Sequence, residues 1–145
     1  MAREEPRLRV DFKHFSHVET RWMDNDIYGH VNNVVYYSYF DTVINRYLIA
    51  EGGLDIHQGA VIGVCVESGC RYFDSFAFPE IIDAGLRVAR VGGTSVTYEI
   101  GLFRRGVVAA LAQGHFVHVF VDRVTRRPLP IPDRLRLAFR ALVDD

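Results

Sequence analysis

The spacing of apolar and polar residues predicts one long helix among several strands. Residues 34–50 (VVYYSYFDTVINRYLIA) are apolar almost all round a helix, with Asp41 and Arg46 as the only charges. A helix without a polar face must be buried, so we expect a sheet to wrap around it. Gly52 and Gly53 follow at the place where a left-handed cap ends a helix.

The rest of the chain shows the patterns of antiparallel strands. Residues 95–102 alternate between polar and apolar side chains, which is the period of a half-buried strand. Gly92-Gly93 and Arg105-Gly106 mark hairpin turns on either side of it. The predicted strands cover residues 14–22, 61–72 with a bulge near Gly69, 80–91, 95–102 and 107–121, and a short amphipathic helix covers residues 133–142.

This order of elements indicates an α+β fold in one domain over residues 1–145, with residues 1–12 as a flexible leader. One helix cannot cover both faces of a five-stranded sheet. We therefore expect the outer face or an edge of the sheet to pair with a second subunit.

Composition narrows the classes of function. The chain is 49% apolar and 24% charged, with a net charge of −1 and a pI near 6.6, which lacks the basicity expected of a nucleic-acid-binding protein. No apolar run approaches the roughly 20 residues of a membrane span. Cys65 and Cys70 form no disulfide framework, and on a strand they would point to opposite faces unless a bulge intervenes. A reducing, cytoplasmic location is expected.

Charge is distributed unevenly along the chain. Residues 1–85 carry 7 basic and 13 acidic side chains, whereas residues 86–145 carry 10 basic side chains, all arginine, and 5 acidic ones. Arginine binds phosphate groups through its planar fork, and Arg90, Arg104 and Arg126 are candidates for this role. The alternative is an arginine-rich face that is simply solvated.

The segment over residues 21–33 (RWMDNDIYGHVNN) combines two carboxylates with a glycine, a histidine and two asparagines just before the long helix. A carboxylate at a helix N-terminus has backbone N–H donors within reach, which is what a hydrolytic site needs. Asp24 and Asp26 would share a face of an extended segment and raise each other's pKa. Both also suit turns, as Asn32 and Asn33 suit helix caps.

The motif Asp-x-Asp-x-x-Gly-His-Val-Asn-Asn, followed by an aromatic helix, resembles the acyl-CoA thioesterases of the hotdog fold, in their 4-hydroxybenzoyl-CoA thioesterase-like branch. The Arg-Trp before the motif, the Gly-Thr-Ser turn and the Pro-x-Pro before the tail helix agree with it, over residues 14–140. The resemblance implies an antiparallel five-stranded sheet wrapped around one long buried helix, with a short C-terminal helix. It implies hydrolysis of an acyl-CoA to a free acid and CoA.

The resemblance also assigns site residues. It makes Asp26 the catalytic carboxylate, either as general base on a water or as nucleophile, and it places an oxyanion at the helix N-terminus near Val31 to Asn33. His30 either orients Asp26, contacts the thioester carbonyl or makes a structural hydrogen bond. The expected catalytic residues are Asp26, His30 and Asn33, and the expected substrate-binding residues are Tyr28, Gly29, Val31, Thr94, Ser95 and Arg90.

Several alternatives stay open. Asp26 with His30 would also suit a hydratase or dehydratase of acyl thioesters, and a non-catalytic acyl-CoA-binding module is the other rival. Aromatic residues of the helix, Tyr36, Tyr37, Tyr39 and Phe40, either line an acyl tunnel or form core. No metal or cofactor is expected, since paired histidines such as His14 and His17 would point to opposite faces of a strand. The expected partners are an acyl-CoA substrate and further copies of the chain. We expect at least a homodimer, and a homotetramer as the assembly.

Overall fold

The computed structural model describes residues 5–144, in which one antiparallel sheet packs against two α-helices. The strands run in the order β1-β3-β4-β5-β2 across the sheet. The predicted order of elements, a strand, a long helix and four further strands, is confirmed. The elements are β1 (His14–Glu19), α1 (Val35–Ala50), β2 (Val61–Tyr72), β3 (Ile81–Val91), β4 (Ser95–Arg104), β5 (Ala112–Asp122) and α2 (Asp133–Arg140).

Helix α1 packs one face on the sheet and leaves the other face in solvent. Its exposed residues include Ser38, Asp41, Thr42 and Arg46. The prediction of a helix buried on all sides is therefore wrong, because these few polar residues recur at intervals of three and four and so align on one face. The buried face consists of Tyr36, Tyr39, Phe40, Val43, Ile44, Tyr47 and Leu48.

Helix α2 covers a further part of the same, inner face of the sheet. The Phe139 ring lies 5.7 Å from Tyr98 and 5.8 Å from Phe120, measured between ring centroids. The Tyr47 hydroxyl of α1 donates to the Ala138 carbonyl at 2.6 Å and joins the two helices. Among the described residues, no helix is long and apolar enough to cross a membrane.

The N-terminal segment crosses the outer face of the sheet, opposite α1. Phe12 is only 6% exposed and lies over Gly85 and Gly101, where a Cβ atom would stand 2.7 Å from the ring. The absence of side chains at these two glycines creates the hollow that the ring fills. The second half of the expected leader is therefore packed on the sheet, and residues 1–4 lie outside the described range.

The last strand starts later than its apolar sequence predicted. The segment between the Gly106 turn and Ala112 pairs instead with the N-terminal segment, through a hydrogen bond from the Ala110 N–H to the Arg7 carbonyl at 2.9 Å. Ala110 packs with Phe12 and Phe103 on the outer face, whereas Val107 and Leu111 contact the main core. Apolar character alone does not distinguish such a segment from a strand.

Strand β2 forms one edge of the sheet and is exposed through its middle. All four residues from Cys65 to Ser68 are exposed, and Val66 retains 58% of its accessible surface. Within the described chain β2 pairs only with β5. A long edge strand presents unpaired N–H and C=O groups that favour pairing with another chain.

A bulge changes the direction of the cysteine side chains. The register between β2 and β5 shifts between Cys65 and Glu67, so the bulge lies there and not near Gly69 as predicted. Beyond it, the residues of β5 opposite Cys65 and Cys70 are four positions apart and share a face. Both free thiols therefore lie on the inner face of the sheet.

Candidate active site

The motif loop, residues 21–33, lies between β1 and α1 and is hydrogen-bonded to the segment between β2 and β3. The Val31 N–H donates to the Phe76 carbonyl at 2.8 Å, and the Phe78 N–H donates to the Asn25 side-chain oxygen at 2.9 Å. Asn25 and Val31 also form an antiparallel bridge with each other. The loop is thus a narrow hairpin whose two sides are fixed and whose tip projects outward.

Asp26 occupies the start of that tip and is partly exposed. Its Oδ1 atom accepts a hydrogen bond from the Tyr28 N–H at 2.9 Å, and its N–H donates to the His30 carbonyl at 2.9 Å. Gly29 turns the tip with φ +85°, the special backbone angle predicted for it. Among the described residues, the second carboxylate oxygen of Asp26 accepts no hydrogen bond, so it is free to act on a water or a substrate.

The backbone donors at the start of α1 are mostly already used. The Asn32 N–H donates to the Asp24 carbonyl at 2.9 Å, and the Val31 N–H is bonded to Phe76 as described. The exposed Asn33 N–H has no acceptor within residues 5–144. Of the donors expected from Val31 to Asn33, the described chain therefore leaves Asn33 as the one open to a developing oxyanion.

Both asparagines also help to begin the helix. The Asn32 side-chain oxygen accepts a hydrogen bond from the Val34 N–H at 3.0 Å, which is the capping role expected for it. The Tyr72 hydroxyl donates to the Asn33 carbonyl at 2.7 Å and joins the helix start to the end of β2. No local motif pointed to Tyr72, because it lies 39 residues further along the chain.

Asp24 differs sharply from Asp26. It is 1% exposed, and its carboxylate accepts hydrogen bonds from the Tyr39 hydroxyl at 2.6 Å and from the Arg21 N–H at 2.8 Å. Burial would raise the pKa of Asp24, but these hydrogen bonds and the charge of Arg21 more than offset it and hold the pKa below its usual value. The motif suggested a raised pKa for Asp24, whereas the structure makes it an ionised structural carboxylate with a lowered pKa.

His30 and Tyr28 are both exposed at the loop tip. Within the described chain no hydrogen bond joins the His30 ring to Asp26, and only the His30 carbonyl contacts that residue. The Tyr28 side chain retains 83% of its accessible surface. Both rings are available to a ligand or to a second subunit, and neither orients Asp26 in the single chain.

The predicted residues Arg90, Thr94 and Ser95 lie at the opposite end of the sheet. β3 begins beside the motif loop and reaches Arg90 nine residues later, which corresponds to roughly 30 Å. Thr94 and Ser95 start β4 at that far end, and their carbonyls accept backbone hydrogen bonds. The single chain therefore does not bring these three residues to Asp26.

The three candidate arginines divide into two kinds. Arg104 donates to the Glu80 carboxylate and, at 2.7 Å, to the Ser75 carbonyl, so it is fully engaged within the chain. Arg90 and Arg126 are exposed. Only these two are placed to meet a phosphate group, and the structure does not support that role for Arg104.

The helix aromatics belong to the core in the single chain. Tyr36, Tyr39 and Phe40 are at most 3% exposed, and the partly buried Tyr37 stacks edge-on against Phe40 at 5.8 Å. Sequence reasoning did not reveal that the Tyr39 hydroxyl donates to Asp24. The 15 residues between them leave no local pattern that could reveal this contact.

Asp26 lies outside the two open cavities described next. One open cavity of about 490 Å³ lies on the outer face beside Phe12, and another of about 510 Å³ lies between β1 and α1 beside Tyr39. Asp26 lines neither of them. The described residues contain no cluster of three or more His, Cys, Asp or Glu side chains that could hold a metal ion.

The sequence and the fold of this chain are similar to those of known proteins. A model of the thioesterase-like superfamily matches residues 18–139. No curated protein matches the sequence significantly. The crystal structure of the PA5185 protein from Pseudomonas aeruginosa is 56% identical, covers 98% of this chain and 99% of its own, and superposes with a TM-score of 0.95.

Two further solved structures show the same architecture. The PA2801 protein from Pseudomonas aeruginosa is 29% identical, with 86% of this chain and 96% of that chain covered and a TM-score of 0.79. The gentisyl-coenzyme A thioesterase BH1999 is 22% identical, with 87% and 99% covered and a TM-score of 0.77. The hotdog fold expected from the motif is thereby confirmed.

Proposed function

Because the chain belongs to the thioesterase-like superfamily and is a thioester hydrolase of the hotdog fold, we propose that it hydrolyses an acyl-CoA to the free acid and CoA. Asp26 acts as general base or nucleophile. One observation carries this assignment: the free carboxylate oxygen of Asp26 and the free N–H of Asn33 lie on the same short loop, at the start of α1.

Two routes use this geometry. In the first, Asp26 removes a proton from a water that adds to the thioester carbonyl, and the thiolate of CoA leaves. In the second, the Asp26 carboxylate adds to the carbonyl, expels the thiolate and forms an anhydride that water then hydrolyses. In both routes the Asn33 N–H donates to the oxyanion, an interaction whose loss typically costs about 3–4 kcal/mol of barrier. The exposed His30 and Tyr28 rings flank the acyl group, and Gly29 lets it approach the backbone, whereas the Val31 side chain is buried in the core and does not reach it.

A second subunit completes the site in this proposal. The exposed edge of β2 suits two-fold antiparallel pairing with the same edge of another copy. The Tyr72 end of β2 lies beside Asn33, whereas the Val61 end lies on the side of the sheet where β4 begins. In this proposal, antiparallel pairing brings the motif loop of one subunit towards the end of the partner's sheet where β4 begins, the end that also carries Arg90, Thr94 and Ser95.

The test begins with the acyl group, which the motif does not specify. The purified protein is incubated with short, long, branched and aromatic acyl-CoAs, and the free thiol is measured with a chromogenic thiol reagent. With the best substrate, Asp26→Asn is expected to lower kcat by about 10²–10⁴-fold, because the amide can neither take a proton nor attack.

Asp41→Asn is the matched control, since Asp41 is exposed on the polar face of α1 and the substitution changes the charge equally. We expect it to keep the wild-type kcat. Full activity of Asp26→Asn in a folded protein contradicts the assignment of Asp26, and the absence of thiol release from every acyl-CoA contradicts the proposed substrate.

A further inference from the structure

We propose that Tyr39 is a positioning residue for the reaction: its hydroxyl holds Asp24, and Asp24 holds the backbone that carries Asp26 and Asn33. This inference rests on the proposed function. It extends the site beyond the exposed motif to a side chain that is buried on α1 and donates to Asp24.

The Asp24 carboxylate depends entirely on donors from the protein. Its Oδ2 atom accepts from the Tyr39 hydroxyl at 2.6 Å and from the Arg21 N–H at 2.8 Å. Its Oδ1 atom faces the Arg21 guanidinium, with Nε at 3.1 Å and Nη2 at 3.0 Å. Because Asp24 is 1% exposed, water cannot replace a lost donor without moving the loop.

The backbone of Asp24 connects this carboxylate to both reactive groups. Its carbonyl accepts from the Asn32 N–H at 2.9 Å, and its N–H donates to the Arg21 carbonyl at 2.9 Å. Asp26 follows Asp24 by two residues, and Asn33 follows Asn32 directly. A shift of Asp24 therefore changes the position of the Asp26 carboxylate relative to the Asn33 N–H.

Tyr39 provides a fixed reference for this connection. It is 3% exposed on the buried face of α1, and its ring centroid lies 6.1 Å from that of Tyr36. The core holds the ring with or without its hydroxyl. Within the Tyr39 side chain it is the hydroxyl that hydrogen-bonds to the motif loop, so Tyr39→Phe removes this bond while the ring packing stays in place.

The chain offers a matched control in Tyr47→Phe. Tyr47 lies on the same face of the same helix, is 5% exposed, and donates to the Ala138 carbonyl at the same 2.6 Å, far from the motif loop. Both variants lose one buried hydrogen bond of the same length. A purely structural role predicts that they behave alike.

With the acyl-CoA that the wild type turns over best, Tyr39→Phe is expected to lower kcat about ten- to hundredfold, because small misplacements of reacting groups have effects of that size. KM should change much less, and Tyr47→Phe should keep kcat within about twofold of wild type. Since Tyr39 acts through Asp24, the Tyr39→Phe/Asp24→Asn double variant should be no slower than Asp24→Asn alone. Equal kcat values for Tyr39→Phe and Tyr47→Phe, or additive effects in the double variant, overturn the proposal.

A second measurement does not depend on activity. Amide hydrogen exchange at Asp26 and Asn32 should be faster in Tyr39→Phe than in Tyr47→Phe, because both N–H groups bond within the loop that Asp24 holds. Equal exchange in the two variants overturns the positioning role. If the wild-type protein releases no thiol from any acyl-CoA, in contrast, that result contradicts only the proposed function.

Discussion

The two ends of the sheet each bury a tyrosine hydroxyl against a titratable side chain, and they do so in opposite ways. At the motif end, which we define as the motif loop and the start of β3, Tyr39 donates to Asp24 at 2.6 Å. At the hairpin end, defined as residues 90–98 with residues 117–122 of β5, the Tyr98 hydroxyl lies 3.0 Å from the Nδ1 atom of His118. The motif end buries a charge, whereas the hairpin end buries a neutral ring.

The surroundings explain this difference. Donors from Arg21 and Tyr39 more than offset the burial of Asp24 and lower its pKa, so it stays ionised. Burial among aromatic rings lowers the pKa of His118 to about 4, so it stays neutral at physiological pH. The motif end is therefore built to hold charge in a fixed place. The hairpin end presents turn backbone, the hydroxyls of Thr94 and Ser95, and the exposed Arg90.

The largest expected effect comes from a heterodimer in which each subunit carries a substitution at a different end of the sheet. A heterodimer of an Asp26→Asn subunit and an Arg90→Glu subunit, isolated with two affinity tags, contains one site with both residues intact. We expect about half of the wild-type kcat/KM, whereas the Asp26→Asn homodimer retains about a hundredth or less. Thiol release at substrate concentrations below KM measures this difference.

The control places both substitutions in one subunit and pairs it with a wild-type subunit. If the site is shared, each site of that heterodimer lacks one group and activity stays low. If each subunit holds a whole site, the heterodimer with both substitutions in one subunit is half active, whereas the heterodimer with one substitution in each subunit is not. That result would contradict the shared site.

The second prediction concerns pH and separates the buried groups of the two ends. The pKa of His118 is about 4 in the folded protein and 6.5 as its ordinary value, so the unfolded state binds more protons between these values. Lowering the pH from 6.5 to 4 should therefore remove up to about 3 kcal/mol of stability. Asp24 has a lowered pKa, so its contribution to stability is lost at lower pH, from about pH 5 downward, and it adds little slope over the upper part of this window.

Urea denaturation at fixed protein concentration and several pH values tests this prediction. The Tyr98→Phe/His118→Leu double variant removes the titrating ring without leaving a buried hydroxyl unpaired, and its stability should vary less over the same window. His57→Gln, at an exposed histidine, should keep the wild-type dependence. An unchanged dependence in the double variant argues against a buried neutral His118.

The smallest effect distinguishes an engaged arginine at the motif end from a free one at the hairpin end. Arg104→Ala removes the ion pair with Glu80 and the bond to the Ser75 carbonyl, and it should lower the free energy of unfolding by about 1.5–3 kcal/mol. Arg90→Ala should change that free energy by less than about 0.5 kcal/mol and instead raise KM in a salt-dependent way.

Thermal or urea unfolding and steady-state kinetics on the same two variants provide the measurement. Lys13→Ala serves as the control for loss of an exposed positive charge away from both ends. A raised KM in Arg104→Ala with intact stability would reverse the assignment of the two arginines.

Much of the fold was predictable because local patterns and packing agree. Alternation along residues 95–102 and the glycine turn before it predicted β4 and its hairpin, and the aromatic run predicted α1. Residues 107–111 were assigned to β5 incorrectly, since an apolar connecting segment with partly buried side chains has the same composition as a strand. The bulge was placed near Gly69 because glycine often marks one, whereas the register shifts at Cys65.

The candidate site was predictable only in part. The motif led to Asp26, and the φ of Gly29 matches the special backbone angle expected from its position. The motif could not show that Asp24 is buried, because its partner Tyr39 lies 15 residues away on a helix. Nor could it show that Ser95 lies at the far end of the sheet, since that separation depends on strand order.

The sequence alone indicated the periodic elements and the loop that we propose carries the chemistry, because spacing and turn residues act over a few positions of the chain. Tertiary structure decided which carboxylate is buried and which is open, which arginines are engaged, and which edge of the sheet is left unpaired. These outcomes depend on contacts between residues far apart in the chain, and such contacts exist only once the sheet has ordered its strands and α1 has packed against it.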